Sequence, residues 1–168
     1  MILETDSYGE IEYEEQDLIF FPDGVFGFPD LKHYLLLSLT EGDDSILLML
    51  ATDRPEIVFA IINPLVLYPN YSPSLTPAEL SFFHVEDNAD LSYYTICTIR
   101  DKDDYLQNTV NLKCPLVIDP ITRKGMQVIL SDPSYNYRHT FSSFQAVAEA
   151  SNMQREERQD ADTETQKE

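Results

Sequence analysis

Two cysteines and three histidines are the side chains in this sequence that are best suited to nucleophilic or acid–base catalysis. They are Cys97, Cys114, His33, His84 and His139, and they are scattered singly along the chain. A catalytic triad is assembled in space rather than in sequence, so this scatter alone does not exclude one. An enzyme or small-ligand module that uses Cys114 or a histidine is therefore the alternative interpretation that the fold has to test.

Local motifs that would strengthen a catalytic or metal-binding interpretation are absent. The sequence has no Gly-rich phosphate loop, no GxSxG elbow, and no HExxH or CxxC pair. The acidic run formed by Asp101, Asp103 and Asp104 lacks the glycine and the distal glutamate of a calcium loop. We therefore expect a binding protein without a metal or a cofactor, and not an enzyme.

Apolar binding chemistry is concentrated in two segments that prolines and glycines interrupt. The first is FFPDGVFGFP, Phe20 to Pro29, and the second is NPLVLYPNYSPSL, Asn63 to Leu75. Glycine adopts backbone conformations that other residues resist, and proline favours turns, so neither segment is a regular element. Their aromatic side chains either fold back over the core or form an exposed apolar surface. The candidate contacts for an apolar partner are Phe26, Phe28, Tyr68 and Tyr71.

Charge indicates a second kind of surface. Acidic residues outnumber basic ones by 30 to 11, the formal net charge is -19, and the first basic residue is Lys32. Such a field repels nucleic acid and attracts basic partners, so we expect no direct nucleic-acid binding. Solubility alone is the competing explanation of the acidity. The candidate acidic contacts are Glu10, Glu12 and Glu14 near the N-terminus and Glu156, Glu157 and Asp160 in the C-terminal tail.

The sequence also predicts where the protein resides. The N-terminus has no basic n-region and no apolar h-region, and no stretch approaches the ~18 apolar residues of a membrane span. We therefore expect a cytoplasmic protein without membrane contact. In that compartment the two cysteines are expected to be small buried thiols rather than a disulfide.

Short strands are the elements that must position these residues. The segment GEIEYEE alternates Ile11 and Tyr13 inward with glutamates outward, whereas YLLLSL, ILLMLA and IVFAII are apolar on both faces, as is typical of central strands. This pattern predicts a mainly β fold, a small antiparallel β-barrel-like domain or a sandwich. The predicted strands are Ile2 to Thr5, Glu10 to Glu14, Leu18 to Phe21, Tyr34 to Leu39, Ile46 to Ala51, Ile57 to Asn63, Tyr93 to Ile99, Val110 to Lys113, Leu116 to Asp119 and Met126 to Leu130.

A hairpin and two helices complete the prediction. The segment DPITRKGMQ is expected to turn at a tip that carries Arg123 and Lys124, an isolated positive spot. Thr76, with a proline after it and Glu79 three residues on, forms a capping box that predicts a short helix near residues 76–83. A second helix is expected from Ser142, fading into a polar tail. We predict a β domain over residues 1–141, and a C-terminal helix with an acidic, disordered tail over residues 142–168.

Three motifs in this order resemble those of a known family, the flagellar assembly factor FliW family. They are an F-P-x-G-x-x-G-F corner from Phe21, a strand that ends in Asn-Pro at residues 63–64, and an N-L-x-x-P-L-V-I hairpin from Asn111 that continues through R-K-G-x-Q-V-I-L. The resemblance covers about residues 1 to 141, and the polar C-terminal segment departs from it. The motif positions to which it gives structural roles are Pro22, Gly24, Gly27, Asn63, Pro64, Asn111 and Gly125.

The resemblance implies a cytoplasmic, non-enzymatic flagellar assembly factor with two protein partners. One partner is flagellin, the filament subunit, and the other is the carbon storage regulator CsrA, an RNA-binding repressor of flagellin translation. In this family, flagellin export frees the factor to sequester CsrA, which couples export to translation. An amphipathic flagellin helix would need an apolar groove, and a basic RNA-binding repressor would suit an acidic surface.

Overall fold

The computed structural model describes residues 1–40, 42–100 and 104–141. Its strands and α-helices, in chain order, are β1 (Ile2–Thr5), β2 (Gly9–Glu12), β3 (Ile19–Phe20), β4 (His33–Thr40), β5 (Asp43–Ala51), β6 (Val58–Ile62), α1 (Pro64–Leu67), α2 (Pro77–Phe83), β7 (Ser92–Thr98), β8 (Thr109–Val110), β9 (Leu116–Asp119), β10 (Lys124–Gln127) and β11 (His139–Thr140). The predicted C-terminal helix and tail, with Glu156, Glu157 and Asp160, lie outside the described residues.

Seven strands close into a barrel. They follow the order β7, β6, β5, β4, β3, β10 and β9, and β9 then pairs with β7. These pairs are antiparallel except for β3 and β10, which run parallel with Phe20 opposite Lys124. Strands β8 and β11 extend from β7 outside the ring. The mainly β, antiparallel barrel-like prediction is confirmed, and the barrel, not the sandwich, is the architecture.

The barrel interior is filled by side chains that alternate along each strand. On β5, Leu47 and Met49 point into the interior cluster, which also holds Phe21 and Tyr34, while Leu50 points outward. This period of two is what a strand buried on both faces requires, because successive side chains leave opposite faces of the sheet. The prediction that the strand ILLMLA is covered on both faces is confirmed.

The hairpin of β1 and β2 covers the outer face of β4 and β5. Leu3 is buried there against Leu35 and Leu50, and Ile11 and Tyr13 pack partly buried on the same cluster. The glutamates between them face solvent, so the predicted alternation of this segment is confirmed. Within the described part of the chain, the hairpin is its own two-stranded sheet with no ladder to the barrel. Apolar packing is therefore what attaches this acidic element.

A second outer cluster covers the faces of β6, β7 and β9 that point away from the interior. Phe83 of α2 packs there with Val117, Tyr71 and Tyr135. Thr76 caps α2 through the Glu79 amide at 3.3 Å, and the Glu79 carboxylate accepts from the Thr76 amide at 2.7 Å. The predicted capping box is confirmed. None of the helices in the described part of the chain is both long and apolar enough to cross a membrane.

The hairpin of β9 and β10 forms as predicted and Arg123 lies in its turn, but the placement of Lys124 at the tip was wrong. Lys124 is already paired with Asp119 in the ladder, so it does not lie at the tip. Arg123 adopts a left-handed backbone with φ 57°, and its guanidinium donates to the Asp17 carbonyl at 2.7 Å. Both side chains are half-buried. Arg123 therefore joins the hairpin to the segment before β3 and does not form an isolated positive spot.

Candidate partner-binding surfaces

The corner from Phe20 to Pro29 packs side chains on the interior cluster of the barrel. Phe21 is fully buried and meets the ring of Tyr34 edge-on, with ring centroids 5.4 Å apart. Gly24 has φ 69°, and a Cβ there would overlap the Phe28 carbonyl. Pro22 is half-buried, and its carbonyl accepts a hydrogen bond from the Lys32 ammonium. The turn in this corner therefore requires glycine at position 24, because any other residue would bring a Cβ against the Phe28 carbonyl.

Phe26 and Phe28 are buried to different extents within this corner. Phe28 is half-buried and contacts Phe59 edge-on at 5.3 Å, so it covers the interior cluster. Phe26 is 52% exposed, although its amide donates to the Gln127 side chain at 2.8 Å. Gly27, between them, has φ 89°, which is strained for other residues. The interpretation that these side chains fold back over the core is correct for Phe28. The Phe26 side chain is exposed, while its backbone is held by the hydrogen bond to Gln127.

The two candidate tyrosines lie on the segment that follows β6, and they are unequally accessible. Tyr71 is only 5% exposed, its hydroxyl donates to the Leu112 carbonyl at 2.9 Å, and its ring lies 4.7 Å from that of Tyr135. Tyr68 is half-buried and meets Tyr135 edge-on at 6.4 Å. Burial raises the pKa of Tyr71, with smaller contributions from neighbouring groups. Tyr71 is thus a core side chain, and Tyr68 is the more accessible of the two.

The remaining motif positions also shape the backbone. The Asn63 side chain accepts from the Leu65 amide at 3.0 Å and caps α1, whose first residue is the buried Pro64. The Asn111 side chain accepts from the Cys114 amide at 2.9 Å. Gly125 lies against the Phe21 ring, where any Cβ would overlap. The motifs therefore fix the turns and close contacts of the barrel.

Helix α1 was missed by sequence reasoning, and with it the two exposed apolar side chains of Leu65 and Val66, which are 51% and 54% accessible. Asn63 and Pro64 were interpreted as the end of a strand. Asparagine followed by proline is also a helix start signal, an N-cap with proline at the first helical position. The same signal, Thr76 with the proline after it, was recognised for α2.

The hairpin of β1 and β2 presents a carboxylate surface. Glu10, Glu12 and Glu14 are all exposed. Two open concave surfaces flank the hairpin, and carboxylates line both of them. One is lined by Glu4, Asp6 and Glu56 with Tyr8, and the other by Glu12, Glu14 and Asp17 with Met1 and Ile2. A partner at either edge would meet carboxylates beside exposed apolar groups.

The candidate catalytic groups lie on different elements or connecting segments of the fold. His33 stacks on Phe20 at 5.2 Å, His84 ends α2 with φ 58°, and the His139 ring nitrogen accepts from the Asn136 amide at 2.8 Å. Burial raises the pKa of Cys97 to about 12, which disfavours the reactive thiolate. The buried Cys114 also has a raised pKa, because burial outweighs the effects of Asn111 and Lys113. In the described ranges, no cluster of His, Cys, Asp and Glu is arranged to hold a metal ion.

A closed seven-stranded barrel with an aromatic corner and an acidic hairpin defines a small β-barrel protein whose candidate sites lie on its surface. The family model described as FliW protein matches residues 2–141. The chain is 32% identical to the flagellar assembly factor FliW of Alkaliphilus metalliredigens over 91% of its length and 94% of that protein. It is 31% identical to that of Bacillus velezensis over 83% of its length and 95% of that protein.

A solved structure supports the same assignment. The crystal structure of a flagellar assembly factor FliW superposes with a TM-score of 0.75 at 29% identity, covering 84% of this chain and 96% of that one. This protein therefore belongs to the FliW family of flagellar assembly factors. The resemblance identified from the three motifs is confirmed.

Proposed function

We propose that this protein binds flagellin and CsrA in turn, and that it acts as an anti-CsrA partner switch that couples flagellin export to flagellin translation. Membership of the FliW family supports the flagellar role. The observation that carries the rest is the presence of two surfaces of opposite character on different parts of one barrel. One surface is the corner around Phe26, and the other is the carboxylate face of the β1–β2 hairpin.

The apolar corner supports flagellin binding. Phe26 presents an aromatic ring to solvent from a backbone that its hydrogen bond to Gln127 holds in place. An aromatic side chain has only two torsions to fix on binding, and aromatic residues dominate many interfaces. The corner therefore offers the kind of anchor that the apolar face of an amphipathic helix requires.

The acidic hairpin supports CsrA binding. No Lys or Arg occurs before Lys32, and the hairpin glutamates face solvent. An RNA-binding protein presents Lys and Arg, since it must neutralise phosphates, and a carboxylate surface complements it. Because the two surfaces use different residues, a switch requires either that the two bound partners overlap sterically or that binding at one surface lowers the affinity of the other.

Binding measurements with purified proteins test the proposal. Isothermal titration of the full chain with CsrA and with flagellin should give one saturable complex for each partner. Addition of flagellin to the preformed CsrA complex should then release CsrA, or lower its affinity, as a switch requires. Absence of binding to either partner would contradict the proposal, and so would a stable ternary complex in which neither affinity changes.

A further inference from the structure

A cavity of about 260 Å³ opens between α1 and the start of β7. We call it the α1–β7 pocket. The side chains that matter for its chemistry are those of Pro64, Leu65, Leu91, Tyr71, Tyr93 and Tyr94. Its wall thus combines aliphatic groups with three tyrosines. The pocket lining includes no residue of the Phe26 corner or of the acidic hairpin, and the proposed flagellin and CsrA binding does not explain it.

Tyr93 carries a hydroxyl that is buried without a hydrogen-bonding partner among the described residues. The neighbouring Asn88 amide donates one of its two N–H groups to the carbonyl of Pro73, another residue of the pocket wall, at 2.7 Å, and it makes no hydrogen bond of accepted geometry to the Tyr93 hydroxyl. A buried polar group that lacks its hydrogen bond destabilises a protein by about 1–3 kcal/mol. A ligand that supplied a partner for this hydroxyl would remove that penalty.

The electrostatic surroundings of the pocket are acidic. No Lys or Arg occurs from Pro55 to Ile99, a stretch that contains α1, α2 and most of β7. Burial raises the pKa of Tyr93, and the nearby Glu79 carboxylate raises it further, against the lowering effect of Asn88. The loop before β7 adds Glu86, Asp87 and Asp90, all exposed. The charge near the pocket therefore favours a cationic occupant.

We propose that the α1–β7 pocket accepts an arginine side chain from a basic segment of a partner protein. The aliphatic stem of arginine matches Leu65, Leu91 and Pro64. Its planar guanidinium stacks on tyrosine rings and carries donors for the Tyr93 hydroxyl oxygen. A leucine would leave that hydroxyl unpaired and would gain nothing from the carboxylates. The inference concerns this pocket alone and does not depend on the proposed flagellin and CsrA binding.

Small-molecule probes and the ¹⁵N-labelled full chain test this inference. N-acetyl-arginine amide should shift the amide signals of Leu65 and of residues 92–94 in a saturable manner. N-acetyl-citrulline amide has nearly the same shape without the charge, and N-acetyl-leucine amide has only the apolar part. Both should bind at least about tenfold more weakly, which corresponds to about 1.4 kcal/mol. Equal binding of the three probes, or saturable shifts that avoid these amides, would overturn the inference.

Matched variants locate the site. Leu65→Lys places a cation at the pocket wall and should abolish the shifts caused by the arginine probe. Val66→Lys makes the same charge change at the next, equally exposed residue, which is outside the lining, and should keep them. Tyr93→Phe removes only the hydroxyl and should weaken binding several-fold while the spectrum stays that of a folded protein. Equal loss in the two lysine variants would show a general charge effect and would contradict a defined pocket.

Discussion

At the scale of single residues, the motif positions act through contact and backbone geometry. Gly125 shows this most clearly, because its neighbour is the fully buried ring of Phe21. Sequence alone placed this glycine beside the tip of a hairpin. The reason for its small size is a contact with a residue about a hundred positions earlier in the chain, which no local pattern contains. The motif predicts which residue occupies such a position, but it does not reveal the contact that requires that residue.

The variant Gly125→Ala should destabilise the barrel. Its Cβ would overlap the Phe21 ring, and overpacking of a core costs about 1–3 kcal/mol. Urea unfolding measures the loss directly. The control is the same alanine substitution made in a Phe21→Leu background. Leucine leaves room for the added methyl group, so Gly125→Ala should cost less stability there than it does in the native chain. An alanine variant as stable as the native protein would show that the contact is easily relieved.

His139 should make stability depend on pH near neutrality. Burial lowers the pKa of this histidine below its ordinary 6.5, and its ring nitrogen accepts from the Asn136 amide. As the pH falls through 6.5 the unfolded chain binds the proton first, so the free energy of unfolding should fall until the folded-state pKa is reached. His139→Gln keeps an acceptor but does not titrate. Urea unfolding at pH 7.5 and 5.5 should show a larger loss for the native chain, and equal losses would contradict this assignment.

At the scale of elements, apolar patterning predicted most strands but missed β11. The core strands β5 and β9 follow a period of two over buried residues, and hydrophobic pattern is sufficient for them. β11 is only two residues long, His139 and Thr140, and it is held by ladder bonds to β8 without an apolar pattern of its own. The parallel pairing of β3 with β10 likewise depends on closure of the ring, which local sequence does not encode.

Phe26 and Phe28 form a matched pair for testing the corner. Phe28→Ala should destabilise the fold measurably, though by less than the ~3–5 kcal/mol of a fully buried phenylalanine, because Phe28 is half-buried against Phe59. Phe26→Ala should change stability by no more than about 0.5 kcal/mol, as exposed substitutions do. Thermal unfolding measures both variants.

The same pair separates folding from binding. If the corner holds flagellin, Phe26→Ala should weaken the complex by about 2 kcal/mol or more, the loss typical of an interface anchor. Isothermal titration measures this loss. A folded Phe26→Ala variant that binds flagellin as tightly as the native chain would place the flagellin site elsewhere.

At the scale of the whole molecule, the net charge favours a basic partner. With a net charge of -19, long-range attraction should speed association with a basic protein, and salt should slow it. Exposed charges are screened beyond a Debye length of ~8 Å at physiological salt. The association rate with CsrA, measured by stopped flow, should therefore fall steeply between low and high salt. A rate independent of salt would contradict an electrostatic surface.

Position, as well as total charge, should matter for CsrA. The triple variant Glu10→Gln/Glu12→Gln/Glu14→Gln should weaken CsrA binding more than Asp23→Asn/Asp30→Asn/Glu86→Gln, which removes the same charge from exposed sites away from the hairpin. Circular dichroism checks that both variants fold. Equal weakening by the two triples would assign the effect to net charge and not to the hairpin.

The most direct test of the switch is a reconstituted reaction with three proteins and one RNA. Fluorescence anisotropy of a labelled CsrA-binding RNA should report bound CsrA, and addition of the full chain should release the RNA. Flagellin added next should withdraw the full chain and restore the RNA signal, while flagellin added to CsrA and RNA alone should change nothing. Release of RNA that flagellin leaves unreversed, or no release at all, would contradict a partner switch.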